Sequence, residues 1–248
     1  MIYWALAVLL RTYNRFAGHQ TTRVGTTRLP RTGGAVVAIN HTSYVDFTYI
    51  GTEMIKHDNR CVRFMGKVEL RKNPVLRWLM WGCRVIPVDR AAGRDAYVAA
   101  VRELQAGEVV GVYPEATISR SFELKEFKSG AARMALEAGV PIIPAIVWGS
   151  QRIAPKGHPN HLGRTKTPVA VSVGEPIPPV GDAESLTKTL RVAMLALLEE
   201  VKESYGPHPV GEFWVPASMG GTAPTLKEAN EIERKEKETK AASRELKG

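Results

Sequence analysis

Short apolar runs rich in β-branched residues recur along the chain at positions 35–39, 62–65, 85–88, 109–113, 142–147 and 169–173, the pattern of strands buried within a sheet. Segments of helical character lie between and after them, at 44–56, 74–81, 94–105, 130–138 and 184–204, the fourth closed by Gly139 ahead of Pro141. This alternation predicts one α/β domain, a mainly parallel twisted sheet flanked by helices on both faces. Ligands of such sheets gather beyond the carboxyl ends of the strands. His41, Arg90 and Glu115 each fall just after a predicted strand and are placed to converge there.

Three stretches depart from the alternation. Residues 1–10 are unbroken apolar sequence, after which Arg11 and Arg15 interleave with Tyr13 and Phe16. Spanning a bilayer takes roughly twenty apolar residues, and the order of charged and apolar positions is not that of a secretory signal. The pattern suits a helix lying in a membrane interface, with a terminal helix docked on the core as the alternative. Residues 150–168 combine glycine and proline with Arg152, Lys156, Arg164 and Lys166, and read as a working or mobile loop. Residues 227–248 mix lysine, arginine and glutamate with almost no apolar side chain, and read as solvated helix or disorder without a chemical role. The chain thus divides into an amphipathic membrane-association helix at 1–22, a folded domain at 23–226 and a charged tail at 227–248.

Composition changes this picture in one respect. The chain has 248 residues, enough for one substantial core, and its 44% hydrophobic and 24% charged content is ordinary. The net charge of +9 is less so, and calls for an anionic partner: nucleic acid, a phosphorylated metabolite or an acidic membrane surface. The basic residues are dispersed and accompany no nucleic-acid-binding motif, so nucleic acid is not expected. Cys61 and Cys83 form neither a metal-ligand pattern nor a disulfide framework, as suits a reducing compartment. His158 and His161 lack a third ligand, and no metal site is expected.

The sharpest chemical signal is Asn40-His41-Thr42-Ser43-Tyr44-Val45-Asp46. Five positions on a helix correspond to about 140° of rotation, so His41 and Asp46 cannot share one helical face and must flank a turn. With a strand ending at Ile39 and Ser43 as N-cap of a helix starting at Tyr44, His41 lies on the loop and Asp46 in the first turn. There the carboxylate can accept from one imidazole nitrogen and leave the other as a base for a hydroxyl. Ser43 and Asp46 also have capping-box-like spacing, which would suit a helix start with no catalytic duty.

Other clusters follow in order: Lys67-Val68-Glu69-Leu70, then Gly82-Cys83-Arg84-Val85-Ile86-Pro87-Val88-Asp89-Arg90, then Tyr113-Pro114-Glu115-Ala116-Thr117, then Phe127-Lys128-Ser129-Gly130, then Val140-Pro141-Ile142-Ile143-Pro144. With the histidine block, this set resembles the glycerolipid acyltransferases over residues 36–179, especially the 1-acylglycerol-3-phosphate (lysophosphatidic acid) acyltransferases. The resemblance implies a glycerol-3-phosphate acyltransferase-like fold and an acyltransferase domain at 23–226. It implies transfer of a fatty acyl group from an acyl-CoA or acyl-carrier-protein thioester to 1-acylglycerol 3-phosphate, giving phosphatidic acid. His41 would be the base and Asp46 its orienter. Lys67 and the block ending at Arg90 would bind the acceptor phosphate, with Arg120 and Lys128 as further cationic ligands and Glu115 and Thr117 also on the substrate. The thioester is a co-substrate, and no cofactor or metal is implied. The expected setting is the cytoplasmic face of a membrane bearing anionic lipids, to which the protein would be peripheral or monotopic.

The third block departs from the family, whose Pro-Glu-Gly-Thr-Arg-Ser stands here as Pro114-Glu115-Ala116-Thr117-Ile118-Ser119. Alanine resists positive φ, so a locally different turn is expected. Ile118 removes a cation, leaving Arg120 to reach the phosphate or pointing to another acceptor: glycerol 3-phosphate, a lysophospholipid or a glycolipid. A non-catalytic peripheral membrane protein is the remaining alternative. Residues 74–81 place Trp78 and Trp81 near Arg71, Lys72 and Arg77, which suits either a core helix or an interfacial surface near an acyl-chain groove. With residues 1–16, the second option makes one apolar face rimmed by positive charge.

Overall fold

The computed structural model describes residues 2–89 and 93–245. Among them, seven strands form one sheet: β1 (Gln20–Val24), β2 (Ala35–Ile39), β3 (Val62–Lys67), β4 (Ile86–Val88), β5 (Val109–Val112), β6 (Ile142–Trp148) and β7 (Pro168–Val173). Their spatial order is β1-β7-β6-β2-β5-β3-β4. Every pairing is parallel except that of β6 with β7, so β6, β2, β5, β3 and β4 all end on the same edge. The helices are α1 (Ile2–Ala17), α2 (Asp46–Asp58), α3 (Pro74–Gly82), α4 (Gly93–Gln105), α5 (Gly130–Ala138), α6 (Ala183–Tyr205) and α7 (Leu226–Glu245).

The central strand β2 shows how the sequence sets the layers. All five of its residues are buried, and successive side chains point to opposite faces. Val36 and Ala38 join the core that includes Ala100 of α4, Ala135 of α5 and Leu190 of α6, while Ala35, Val37 and Ile39 join the core with Ile50 and Met54 of α2. The expected α/β domain with helices on both faces is therefore the observed one.

Several local details differ from expectation. Strand β1, Gln-Thr-Thr-Arg-Val, is a mostly exposed edge strand paired with β7, and it crosses the expected boundary between residues 22 and 23. Helix α2 begins at Asp46 rather than Tyr44. Ser43 does not cap it, because the Ser43 hydroxyl donates to the Ala154 carbonyl at 2.9 Å. Only the carboxylate half of the capping box forms, Ser43 N donating to Asp46 Oδ2 at 2.9 Å. The loop at 150–168 starts with a pinned segment, in which Ser150, Gln151, Ile153 and Ala154 are buried and Pro155 bridges to Ser43.

Helix α1 docks on the domain. Its Tyr3 hydroxyl accepts a hydrogen bond from Val62 N at 3.1 Å, and a Cβ added to Gly82 of α3 would lie only 2.5 Å from the Ile2 side chain. The same helix leaves Val8, Leu9 and Phe16 exposed, as α3 leaves Val75, Trp78 and Trp81. Among the described residues, no helix is long and apolar enough to cross a membrane.

Candidate active site

Three adjacent strands, β6, β2 and β5, supply the site from their carboxyl ends. Asn40 prolongs β2 with its side chain: Nδ2 donates to Val147 O at 3.0 Å, and Oδ1 accepts from Val147 N at 2.7 Å. This buried pairing fixes the point where the chain leaves the sheet, and His41 follows. The His41 ring stacks on Tyr113, with centroids 3.8 Å apart and planes at 15°. Its backbone N–H donates to Glu115 Oε1 at 2.8 Å and its carbonyl accepts from Ser119 N at 2.7 Å.

Asp46, at the start of α2, is fully buried and lies 3.1 Å from His41 Nδ1 through Oδ2. The same oxygen accepts from Thr42 N and Ser43 N, both at 2.9 Å, while Oδ1 accepts from the Ser150 hydroxyl at 2.5 Å. A carboxylate that only accepts puts the imidazole proton on Nδ1 and the lone pair on Nε2. Among the described residues no hydrogen bond reaches Nε2, and His41 lines a cavity of about 570 Å³. The turn inferred from the spacing of His41 and Asp46 is thus present, with the two side chains in contact.

Glu115 stands behind the histidine. Its Oε2 accepts from Lys125 N at 3.1 Å, so both oxygens are committed to backbone amides and the side chain does not line the cavity. Burial pushes this carboxyl up to about 8, outweighing the hydrogen bonds from the His41 and Lys125 amides that favour the charged form. Ala116 takes φ +62° and its N–H closes the turn onto Tyr113 O at 2.9 Å. Alanine thus takes the positive φ it resists, a conformation that costs an L-residue ~1–2 kcal/mol.

The cavity falls within the ~300–1,000 Å³ typical of small-molecule sites. Its walls are mostly apolar: Leu6 and Leu10 of α1, Phe47 of α2, Phe64 of β3, Leu79 and Met80 of α3. Thr117, Lys67 and Lys156 also line it. Around Thr117 three cations gather. Lys125 Nζ lies 2.5 Å from Thr117 Oγ1, Arg120 donates to Lys156 O at 3.3 Å, and all three cationic side chains are largely buried. Their anionic partners come from α7. Glu233 pairs with Lys125, and Glu236 pairs with Arg120 and, at 3.0 Å, with Lys156.

Of the residues singled out in the sequence, the fold brings His41, Lys67, Thr117 and Arg120 to the cavity or its cation cluster, with Asp46 buried against His41 and Glu115 as a brace behind. Lys128 is exposed, does not line the cavity, and contributes a backbone hydrogen bond to Pro114 O at 2.9 Å. Arg90 lies outside the described residues. Sequence reasoning gave no role to Asn40, Tyr113, Ser150, Lys125 or α7. Ser150 carried the same signal as His41, since it follows the carboxyl end of a strand, and Lys156 lay in the basic loop. Nothing in sequence separated Lys125 from other lysines.

A mainly parallel sheet whose strand ends hold a histidine–aspartate pair beside an apolar cavity defines the class, an α/β domain with its candidate site at the carboxyl ends of the strands. The acyltransferase family model matches residues 20–148, and the chain belongs to that family. It is similar to the 1-acyl-sn-glycerol-3-phosphate acyltransferase of Bacillus subtilis (strain 168), 28% identical over 177 residues, 71% of this chain and 83% of that one. It is 27% identical to a 1-acyl-sn-glycerol-3-phosphate acyltransferase of Chlamydomonas reinhardtii over 73% of this chain, and spans about half of that protein, 53%. The crystal structure of the 1-acyl-sn-glycerophosphate (LPA) acyltransferase PlsC from Thermotoga maritima shares the fold, with a TM-score of 0.61 over 80% of this chain and 81% of that one at 24% identity.

Proposed function

We propose that this acyltransferase moves a fatty acyl group from an acyl-CoA or acyl-carrier-protein thioester to the free hydroxyl of 1-acylglycerol 3-phosphate, giving phosphatidic acid. The observation that carries the reading is the Asp46-held His41 at the wall of an apolar cavity that also reaches a cluster of cations. In the proposed reaction, His41 Nε2 takes the hydroxyl proton as the oxygen attacks the thioester carbonyl. The tetrahedral oxyanion then collapses, breaking the C–S bond, and the imidazolium returns the proton to the departing thiolate. A base of this kind supplies ~10²–10⁴-fold, and holding both substrates in line contributes further. Because Thr42 N and Ser43 N are committed to Asp46, the oxyanion donors come from elsewhere.

Arg120, Lys125, Lys156 and Lys67 form the proposed phosphate subsite, Arg120 standing in for the cation that Ile118 removes. The exposed Phe16, Trp78 and Trp81 on α1 and α3, near Arg11, Arg15, Arg71, Lys72 and Arg77, support a peripheral seat on the anionic cytoplasmic face of a membrane. Since α1 and α3 also wall the cavity, an amphiphilic acceptor would pass from the lipid surface to His41 without crossing water.

The test is thiol release from oleoyl-CoA in the presence of 1-oleoyl lysophosphatidic acid. His41→Ala is expected to lose ~10²–10⁴-fold with folding intact, and retention of more than about a tenth of the rate would overturn the base assignment. Ile118 favours a second reading within the family, an acceptor such as glycerol 3-phosphate, a lysophospholipid or a glycolipid. An acceptor screen with one acyl-CoA, read by mass spectrometry, separates the two. Strong preference for an acceptor without phosphate would remove the phosphate subsite.

A further inference from the structure

The cations assigned to the acceptor phosphate already hold an anion, and it comes from the chain itself. Glu233 and Glu236 are three residues apart on α7 and so share one helical face. Glu233 accepts from the Thr117 hydroxyl at 3.1 Å through each oxygen and pairs with Lys125, while Glu236 pairs with Arg120 and Lys156. A guanidinium, two ammonium groups and a hydroxyl converging on carboxylate oxygens is the donor set that binds a phosphate monoester. Both glutamates line the same cavity as His41.

The rest of α7 gives little to hold it there. Ala229 is the one buried side chain among the helix's described residues, and Ile232 is 38% exposed. Docking therefore rests on charge pairs that a competing anion can exchange. Protonation is not a route to release. Burial would raise Glu233, but hydrogen bonds from Lys125 and Lys237 outweigh it and hold the carboxyl down at about 2. Glu236 is likewise held low by Lys156 and Arg120.

We propose that α7 is a displaceable intramolecular occupant of the acceptor-phosphate subsite, with Glu233 and Glu236 standing where the phosphate binds, so that acceptor binding drives the helix off. The proposal rests on the phosphate-subsite reading above. It assigns a function to a tail that composition marks as featureless, and it makes apparent acceptor affinity depend on the fraction of molecules with α7 undocked.

The full-length Glu233→Gln/Glu236→Gln variant is assayed with 1-oleoyl lysophosphatidic acid in neutral detergent micelles. KM for this acceptor is expected to fall about tenfold, the change that follows when an open state holding about a tenth of the molecules becomes dominant. An unchanged or raised KM overturns the proposal. Hydrogen exchange of the wild-type protein gives a readout without substitution: the same acceptor speeds exchange across residues 226–239 if α7 is displaced, and slowed or unaltered exchange overturns it. A third arm tests the underlying reading. Lys156→Ala in the double-variant background raises KM for lysophosphatidic acid and not for monoacylglycerol if the cluster binds phosphate. If that KM does not move, the subsite itself is wrong. If it moves while Glu233→Gln/Glu236→Gln has no effect, the helix proposal alone fails.

Discussion

Asp46→Asn separates charge from geometry at the proposed base. Asp46 Oδ2 accepts from His41 Nδ1, Thr42 N and Ser43 N, and Oδ1 accepts from Ser150 Oγ. In the amide, the carbonyl oxygen takes over the three N–H donors, while the NH₂ group faces a hydroxyl free to turn and accept. The contacts survive, and the negative charge does not. If His41 gathers a proton in the transition state, the lost attraction is that of unit charges ~4 Å apart, about 4 kcal/mol at an effective dielectric constant near 20. Each 1.36 kcal/mol is tenfold in rate, so kcat is expected to fall ~10²–10³-fold, the lower figure allowing for partial proton transfer. The assay is thiol release at saturating oleoyl-CoA and 1-oleoyl lysophosphatidic acid, with circular dichroism to confirm folding. A loss below tenfold refutes the claim that charge builds on His41. Ser150→Ala is the geometric counterpart: it leaves the charge and strips one hydrogen bond from a buried carboxylate, at ~1.5–3 kcal/mol of stability.

Three further outcomes follow from the same contacts. Glu115 binds its proton more tightly folded, with its carboxyl raised to about 8 from 4.5, than unfolded. Its contribution is therefore full below about pH 4.5 and is lost as pH rises towards 8, by up to ~4–5 kcal/mol; urea titrations should show Glu115→Gln flattening that decline, and parallel wild-type and variant curves would refute it. Ala116→Gly relieves the φ +62° alanine and should raise stability by ~1 kcal/mol, read as a higher urea midpoint, whereas a loss would mean the turn is unstrained. Trp78→Ser/Trp81→Ser should cut flotation with anionic vesicles at least tenfold, and undiminished binding would remove α3 from the membrane face.

How much of this was legible in the sequence follows from what each element buries. Apolar strands such as 35–39 and 142–147 announce themselves because both faces of the sheet are covered. Edge strand β1 does not, since Gln20-Thr21-Thr22-Arg23 carries no apolar alternation and is held by pairing with β7 and by the Arg23 ion pair with Glu53 of α2. The turn between His41 and Asp46 could be read from helical geometry. The failure of Ser43 as a cap could not, because its competing acceptor is the carbonyl of Ala154, far along the chain. Helix α7 has no apolar face to mark it, and its docking depends on cations whose convergence only the fold creates. Glu115 was placed at the site by its position after a strand. That position does not say which way a carboxylate turns, and here it turns to two backbone amides.

The departures at Ala116 and Ile118 bear on chemistry and recognition unequally. His41 is fixed by Asn40 just after β2, by Tyr113 and Glu115 after β5, and, through Asp46, by Ser150 after β6. These are contacts at strand ends, set by the register of three adjacent parallel strands, and neither Ala116 nor Ile118 takes part in them. The cations stand instead on the loop after β5, which carries Arg120 and Lys125, and on the loop after β6, which carries Lys156, with α7 closing over both. Loops alter at lower cost than strand register, because a one-residue slip in a buried strand turns every side chain to the opposite face. In the proposed reading, the absence of a cation at position 118 therefore bears on the choice of acceptor and leaves the proposed base where it is. If α7 competes for the proposed phosphate subsite, its carboxylates act on the same choice, and acceptor selection then rests on the balance of charge between two loops and one helix.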